Sequence, residues 1–101
     1  MPTMTVVTRS VLKEGSEAEW DSAMRQRMQE AHTAAGWISG RVLAPVDEPN
    51  ARIIVGTWRS RDDWEKWHTD AEFRETRQRL DGLQAQPDEM SWSEVLVDEH
   101  A

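Results

Sequence analysis

Tryptophan is unusually abundant in this 101-residue chain, which has six Trp beside only 17 Leu, Ile, Val and Phe residues. With a formal net charge of −7, so few aliphatic residues would by themselves indicate a disordered chain. Disordered chains are poor in aromatic residues, however, and one buried aromatic side chain removes up to about 250 Å² of surface from water. We therefore predict a single folded domain over residues 1–101, with a core built around aromatic side chains.

The charge is unevenly distributed along the chain. Residues 81–101 contain six carboxylates and no Lys or Arg, whereas the first 80 residues contain 13 acidic and 12 basic side chains. Because nucleic acid binding requires a concentrated basic surface, this distribution argues against a nucleic acid partner. The end of the acidic region, residues 98–101, is expected to be disordered.

Several other classes of protein are also excluded. No apolar run approaches the roughly 20 residues that span a bilayer, and the N-terminus lacks the basic start and apolar core of a signal peptide. The absence of Cys excludes disulfides, thiolate metal sites and a Cys nucleophile. The three histidines, His32, His68 and His100, form no HxH or HExxH pattern, so we predict no metal site. We expect a cytoplasmic protein without a membrane partner.

β-branched and apolar segments between turn signals predict four strands. These strands are Thr5–Leu12, Trp37–Ala44, Arg52–Trp58 and Ser91–Val97. In the first strand, Val6, Thr8, Ser10 and Leu12 alternate with Val7, Arg9 and Val11, so that both faces contain apolar residues. This alternation predicts a sheet that is covered on both sides.

Two helical regions separate the strands. The capping box Ser16-Glu17-Ala18-Glu19 opens the first, and Gly36 is placed to end it. Its apolar stripe consists of Trp20, Ala23, Met24, Met28, Ala31 and Ala35. The second region begins at the capping sequence Ser60-Arg61-Asp62-Asp63, and a possible second cap at Thr69-Asp70 predicts a break near His68. Trp20 and Met24 are expected in the core, and Trp37 and Trp92 in sheet packing or dimer contacts.

The resulting order, β-α-β-β-α-β, predicts a ferredoxin-like α+β fold in which an antiparallel four-stranded sheet carries both helices on one face. Both faces of the first strand contain valine, and the chain has no further element to cover the second face. We therefore predict a homodimer in which the uncovered sheet faces meet.

The segment Gly56–Phe73, GTWRSRDDWEKWHTDAEF, carries the pattern W-x-S-x-x-x-W-x-x-W-H with an aromatic residue five positions after the His. Together with the element order, this pattern resembles the antibiotic biosynthesis monooxygenase domain family, whose members are dimeric α/β barrels. The family includes cofactor-independent oxygenases of polyphenolic substrates, quinol oxygenases and haem-degrading enzymes.

The resemblance implies a cofactor-independent monooxygenase that combines molecular oxygen with an aromatic polyketide, an anthrone or a quinol-like compound. Such a site needs aromatic walls, a proton acceptor and a group that stabilises an oxyanion. We expect His68, or else His32, to accept the proton, because imidazole titrates near neutral pH, and Arg9 to hold the oxyanion. The expected substrate-binding residues are Trp58, Trp64, Trp67, Phe73 and Thr8.

Two alternatives remain open at this point. The haem-degrading branch resembles the chain at Trp67, but it uses an Asn where this chain has Thr8 and an iron-ligating His where this chain has Thr76 or Arg77. A threonine is a poor ligand for haem iron, and an arginine offers it no lone pair, so haem is the second choice. The other alternative is a non-catalytic dimer that binds a small ligand, since a fold does not determine a function.

Overall fold

In the computed structural model, which describes residues 3–101, four antiparallel strands form one sheet in the order β2-β3-β1-β4. The strands are β1 (Met4–Val11), β2 (Trp37–Leu43), β3 (Ala51–Trp58) and β4 (Glu89–Glu94). The helices are α1 (Glu17–Ala31), α2 (Arg61–His68) and α3 (Arg74–Gly82), with a 3₁₀ turn at Ala71–Phe73. The predicted ferredoxin-like α+β fold is confirmed. Within residues 3–101, every helix is too short or too polar to cross a bilayer.

Strand β1 lies inside the sheet, between β3 and β4, and its side chains alternate as predicted. Val6, Thr8 and Ser10 are buried, whereas the intervening Val7 and Arg9 are partly exposed. Successive side chains of a strand point to opposite faces, so the buried residues define the face on which the helices pack. This face supplies the floor of the molecule's interior.

The tightly packed part of the interior lies between this sheet face and helices α1 and α3. Its buried members are Leu12, Trp20, Ala23, Met24 and Leu80. Trp20, which is only 1% exposed, is the largest of the fully buried side chains. The sequence-based placement of Trp20 and Met24 in the core is thus confirmed.

Helix α1 differs from the prediction at both ends. Ser16 occupies the N-cap position, but its φ of −95° and ψ of 0° are not extended, and its side chain makes no capping hydrogen bond. The helix ends at Ala31, where the prediction placed its end at Gly36. Turn hydrogen bonds follow, including one from the Thr33 hydroxyl to the Glu30 carbonyl oxygen, and Gly36 adopts a φ of +86° immediately before β2.

The predicted cap and break in the second helical region are both present. Ser60 has extended backbone angles, and its hydroxyl oxygen accepts a hydrogen bond from the Asp63 amide at 3.1 Å. The carboxylate of Asp70 accepts a hydrogen bond from the Glu72 amide at 2.9 Å and starts the 3₁₀ turn. The chain therefore changes direction after α2, and α3 follows as a separate helix.

Strand β4 lies earlier in the chain than predicted, at Glu89–Glu94 where Ser91–Val97 was expected. The apolar run at residues 95–97 suggested a strand, but pairing depends on the neighbouring strand. In the observed register Glu94 lies opposite Met4, the first residue of β1, and the Val95 amide donates one further hydrogen bond to the Thr3 carbonyl oxygen at 3.0 Å, the last between these segments within residues 3–101. Leu96 and Val97 are consequently largely exposed.

Candidate functional site

A cavity of about 140 Å³ lies beside the packed core, between the sheet and the three helices. Val6, Thr8, Ile54 and Gly56 belong to its sheet side. A glycine at position 56 keeps this floor low, because an added Cβ would lie 3.3 Å from the indole nitrogen of Trp58. The absence of a side chain at this position of β3 therefore helps to keep the cavity open on its sheet side.

Tryptophan side chains from different elements form its aromatic walls. The rings of Trp58 and Trp67, which line the cavity, lie 5.3 Å apart between centroids. Trp64 also lines the cavity, and its ring meets edge-on, at 5.1 Å, that of Trp92, which does not line it. Trp64 and Trp67 are three residues apart on α2, yet each reaches the sheet by contacting a different strand. Aromatic pairs at these separations attract each other and offer flat apolar surfaces to a planar ligand.

Arg27 on α1 is the most buried charged group of the cavity, at 3% exposure. Its guanidinium carbon lies 3.9 Å from the centre of the Trp67 ring, and its Nη1 donates a hydrogen bond to the Phe73 carbonyl oxygen at 3.0 Å. Burial, above all, lowers the pKa of Arg27 to about 10. At neutral pH Arg27 therefore remains a cation held against an aromatic wall.

A second arginine from α3 faces the same cavity. Arg77 is half-buried, and its Nη1 donates a hydrogen bond to the His68 carbonyl oxygen at 2.9 Å. This bond ties the end of α2 to α3 across the break between the helices. It leaves the remaining N–H groups of the Arg77 guanidinium free of any other side-chain or carbonyl acceptor within residues 3–101.

His68 is the histidine that lines the cavity, and its ring stacks on Trp64 with the centroids 4.4 Å apart. Burial lowers the pKa of His68 to about 4, and the positive charges of Arg27 and Arg77 contribute to the same direction. The imidazole is therefore neutral at pH 7 and has a lone pair available for a proton.

Acidic groups also line the cavity. Asp88 accepts hydrogen bonds from the Ser10 hydroxyl at 2.7 Å and from the Gln84 side-chain amide at 2.6 Å. Burial and the nearby charge of Asp88 raise the pKa of Asp81. The lining thus contains both cationic and anionic groups, at different positions. Within residues 3–101, no group of three or more His, Asp or Glu side chains is arranged to hold a metal ion.

Five of the sequence-predicted site residues line this cavity. They are Thr8, Trp58, Trp64, Trp67 and His68. The structure therefore brings together residues from β1, β3 and α2 that are up to 60 positions apart in the chain. Their roles in binding or catalysis stay predictions.

Arg9 and Phe73 were expected at the same site but lie elsewhere. Arg9 follows Thr8 in β1 and so points to the opposite sheet face, where it pairs with Glu48. Phe73 lies behind Trp67, with ring centroids 6.5 Å apart, and lines an open cleft of about 460 Å³ on the outer side of Trp67. The strand alternation excluded Thr8 and Arg9 from sharing one site, and this signal was available in the sequence.

Arg27 and Arg77 are the cations that sequence reasoning did not place in the site. Arg27 lies within the apolar stripe of α1, three residues after Met24 and four before Ala31, both of which are buried. A charged residue in an apolar stripe is a signal for a functional or paired group, because burial of an isolated charge is costly. For Arg77 no comparable signal exists.

The other aromatic and histidine candidates have local partners. Trp37 lines the cavity and lies 4.3 Å from the exposed ring of His32, which is outside the cavity. Trp92 packs against Trp64 and lies under the guanidinium of Arg61 at 5.2 Å. His32, the alternative proton acceptor, therefore contacts one cavity tryptophan, Trp37, but does not itself line the cavity.

The positions that the haem-degrading branch uses do not fit an iron ligand in this chain. Thr76 is buried, and its hydroxyl donates a hydrogen bond to the Glu30 carboxylate at 2.6 Å. Arg77 donates to a backbone carbonyl and has no lone pair to offer. The residues that the resemblance aligns with the axial histidine therefore cannot supply that ligand.

The fold is shared with known proteins. SnoaB, a cofactor-independent oxygenase from Streptomyces nogalater, has a TM-score of 0.82 at 17% identity, over 100% of this chain and 97% of that chain. Proposed antibiotic biosynthesis monooxygenases from Nitrosomonas europaea and Bordetella bronchiseptica both have TM-scores of 0.86, at 15% and 16% identity. These alignments cover 93% and 96% of this chain, and 90% and 100% of the respective structures.

At the level of sequence, no curated protein matches the chain. The family model described as antibiotic biosynthesis monooxygenase matches residues 3–79, which include β1, α1, β2, β3, α2 and most of α3. This segment also contains every tryptophan that lines the cavity, together with His68, Arg27 and Arg77. The chain belongs to the antibiotic biosynthesis monooxygenase family.

Proposed function

We propose that the protein is a cofactor-independent monooxygenase that acts on a hydroxylated aromatic compound, an aromatic polyketide, an anthrone or a quinol. The observation that carries this proposal is the cavity itself, in which a neutral imidazole stands among tryptophan walls and beside two guanidinium groups. An apolar site of this composition can hold a planar ring, accept its proton and stabilise the resulting anion.

In this proposal His68 accepts a proton from the bound substrate. Burial keeps the imidazole neutral in the free protein, and the two arginines contribute, because a further positive charge beside them is unfavourable. A substrate anion between them would offset their charge and raise the pKa of His68 when it is needed as a base. The catalytic group is therefore expected to become more basic on substrate binding.

Arg27 and Arg77 take the role that the sequence suggested for Arg9, namely stabilisation of the substrate anion. An electron-rich anion can transfer electrons to molecular oxygen without a metal or flavin. One oxygen atom then remains on the substrate carbon, and the other leaves as water with two substrate hydrogens, so that the substrate supplies all four electrons. The structural likeness to SnoaB, named as a cofactor-independent oxygenase, supports a reaction without cofactor.

Oxygen consumption tests this function. The protein, treated with EDTA and checked for the absence of flavin and haem absorbance, is mixed with 1,8-dihydroxyanthrone or hydroquinone in an oxygen electrode. We expect uptake above the protein-free rate and transfer of one labelled oxygen atom into the product. The His68→Gln variant should lower the rate by about 10²–10⁴-fold, the usual contribution of general acid-base catalysis.

The matched control is His32→Gln, which removes an exposed imidazole outside the cavity and should leave the rate unchanged. A rate equal to the protein-free rate with both probes would overturn the proposal. Equal rates for the wild type and the His68→Gln variant would reject His68 as the base. A Soret band that forms stoichiometrically with haem, followed by haem turnover with a reductant, would favour the haem alternative.

We also propose that the protein is a homodimer. Val7 and Val55 lie opposite each other on the sheet face away from the helices, and Ile53 lies beside the partly exposed Leu43 on the same face. Another copy of this face would cover these apolar side chains. Light scattering should give twice the protomer mass of 11.7 kDa. A folded species at the protomer mass at micromolar concentration would contradict the dimer.

A further inference from the structure

The cationic side of the cavity lacks a counter-ion within the protein. Neither Arg27 nor Arg77 forms a salt bridge within residues 3–101, although Arg27 is almost fully buried. The negative charges of Glu30 and Asp81 raise the pKa of Arg27, but both carboxylates lie beyond ion-pair distance of its guanidinium group. Glu30 accepts the hydrogen bond of Thr76, and Asp81 is exposed. An unpaired buried charge is costly, so this arrangement favours an anionic ligand.

Unpaired hydrogen-bond donors are found at the same place. The Arg27 Nη2 and the Trp67 Nε1 are shielded from solvent and have no hydrogen-bond partner. Buried donors in proteins are nearly always paired, because leaving one unpaired destabilises the folded state. Both belong to residues that line the cavity and lie against each other. A ligand with acceptor oxygens would accept hydrogen bonds from these two donors after a small side-chain movement.

The size of the cavity limits the aromatic part of such a ligand. An apolar cavity of about 150 Å³ accommodates one benzene ring. At about 140 Å³, this cavity accommodates a single ring against Trp58 and Trp67, whose own rings are in contact, whereas a three-ring anthrone would require the walls to separate. Asp88 also lines the cavity and repels an anion, whereas the guanidinium groups of Arg27 and Arg77 attract one. Asp81 acts on both arginines but lies beyond ion-pair distance of them, so the charged group of the ligand belongs beside Arg27 and Arg77.

We propose that the cavity binds a one-ring aromatic carboxylate, with its carboxylate between Arg27 and Arg77 and its ring against Trp58 and Trp67. This inference rests on the proposed function and specifies its substrate class as a hydroxylated benzoate. Bidentate pairing with guanidinium groups suits a carboxylate better than a single hydroxyl oxygen. The neutral His68 would then face the ring hydroxyl groups.

Binding tests this inference without any turnover. Quenching of tryptophan fluorescence is titrated with benzoate and with benzamide, which have the same shape and differ in charge. We expect benzoate to bind at least about tenfold more tightly, as one charge-assisted hydrogen bond implies. The Arg77→Gln variant should lose this preference. The matched control, Arg74→Gln, removes an exposed charge from the same helix and should keep it.

Several results would overturn the inference. Equal affinity for benzoate and benzamide would reject the anion site, as would an unchanged preference in folded Arg77→Gln and Arg27→Gln variants. Folding of each variant is checked by its melting temperature. If anthracene-9-carboxylate bound as tightly as benzoate, the one-ring limit would be wrong.

Oxygen uptake separates this inference from the proposed function. With 2,5-dihydroxybenzoate as substrate, the oxygenase and the anion site together predict a higher rate at low concentration than with hydroquinone, whereas the oxygenase alone predicts no such preference. Selective benzoate binding without oxygen uptake on either compound would overturn the oxygenase and retain the anion site. Oxygen uptake with hydroquinone but not with 2,5-dihydroxybenzoate would overturn the anion site and retain the oxygenase.

Discussion

The layer between the sheet and the helices has a packed half and a hollow half. Trp20 also borders the cavity but belongs to the packed half, because it is 1% exposed and packs in the core cluster, and its indole nitrogen is 3.5 Å from the side-chain oxygen of Gln84. Trp67 in the hollow half is partly exposed, borders two cavities, and its indole nitrogen has no partner. A tryptophan therefore stabilises the packed half by filling it, whereas a tryptophan in the hollow half keeps an indole N–H group that is free to bind a ligand.

The helices of the two halves form for different reasons. Helix α1 has five buried residues, and it forms without a side-chain bond from its N-cap serine. Helix α2 has eight residues and none that is fully buried, but its N-cap Ser60 makes the expected hydrogen bond. Packing thus stabilises α1, whereas α2 depends on local interactions. A helix of the second kind can present side chains to a cavity without filling it.

The largest expected effect comes from truncating the two tryptophans. Trp20→Ala should cost about 3–5 kcal/mol of unfolding free energy, because it leaves a void in a packed core. Trp67→Ala should cost less, since its ring already borders empty space, and should abolish quenching by planar ligands. Urea unfolding at one protein concentration measures both. Equal losses of stability, without ligand quenching in the wild type, would show that Trp67 is a core residue and that the hollow half does not exist.

Acid should destabilise the hollow half through His68. Its pKa is about 4 in the folded protein and 6.5 in the unfolded chain, so the unfolded state binds the extra proton between these values. Stability should therefore fall as the pH is lowered from 6.5 to 4, by up to about 3 kcal/mol from this group. Unfolding of His68→Gln across this range should show a shallower decline. If His32→Gln flattened the curve instead, the titrating group would be outside the cavity.

Replacing either of two alanines of α1 by leucine should have different effects in the packed half and in the hollow half. Ala23 is fully buried in the packed core, and Ala23→Leu should cost about 1–3 kcal/mol through overpacking. Ala31, two turns further along, lines the cavity, so the added methyl groups of Ala31→Leu can enter empty space. We expect a smaller loss of thermal stability in that variant together with weaker benzoate binding. An Ala31→Leu protein as unstable as Ala23→Leu would contradict the cavity.

The smallest expected effect concerns the two serine caps. Ser60→Ala should destabilise the protein by about 1 kcal/mol, because the Asp63 amide loses its acceptor. Ser16→Ala should change stability by no more than a few tenths of a kcal/mol, since Ser16 makes no side-chain capping bond. Thermal melts of the two variants provide the comparison. A larger loss for Ser16→Ala would mean that α1, not α2, depends on its local start signal.

Much of the fold was predictable from local patterns. Alternation in β1 separated its two faces, although it did not identify the buried one, and the polar signals at Ser60 and Asp70 located two helix starts. The prediction was less accurate where a partner decides the outcome. The apolar run at residues 95–97 resembles a strand, but its pairing within residues 3–101 ends with one hydrogen bond, from the Val95 amide to the Thr3 carbonyl oxygen. The end of α1 was similarly misplaced, because turn hydrogen bonds at Glu30 and Ala31 replace helical ones.

The order of elements, the two alternating residue sets of β1 and the cavity residues Trp58, Trp64 and Trp67 could be read from the sequence, because these depend on period and residue type. Which charges enter the cavity follows from tertiary packing alone. Arg9 is next to Thr8 in the chain, yet it lies across the sheet, whereas Arg27 and Arg77 come from two helices and meet His68. Their proximity results from helices packing on a common sheet face, which no spacing within a single segment encodes.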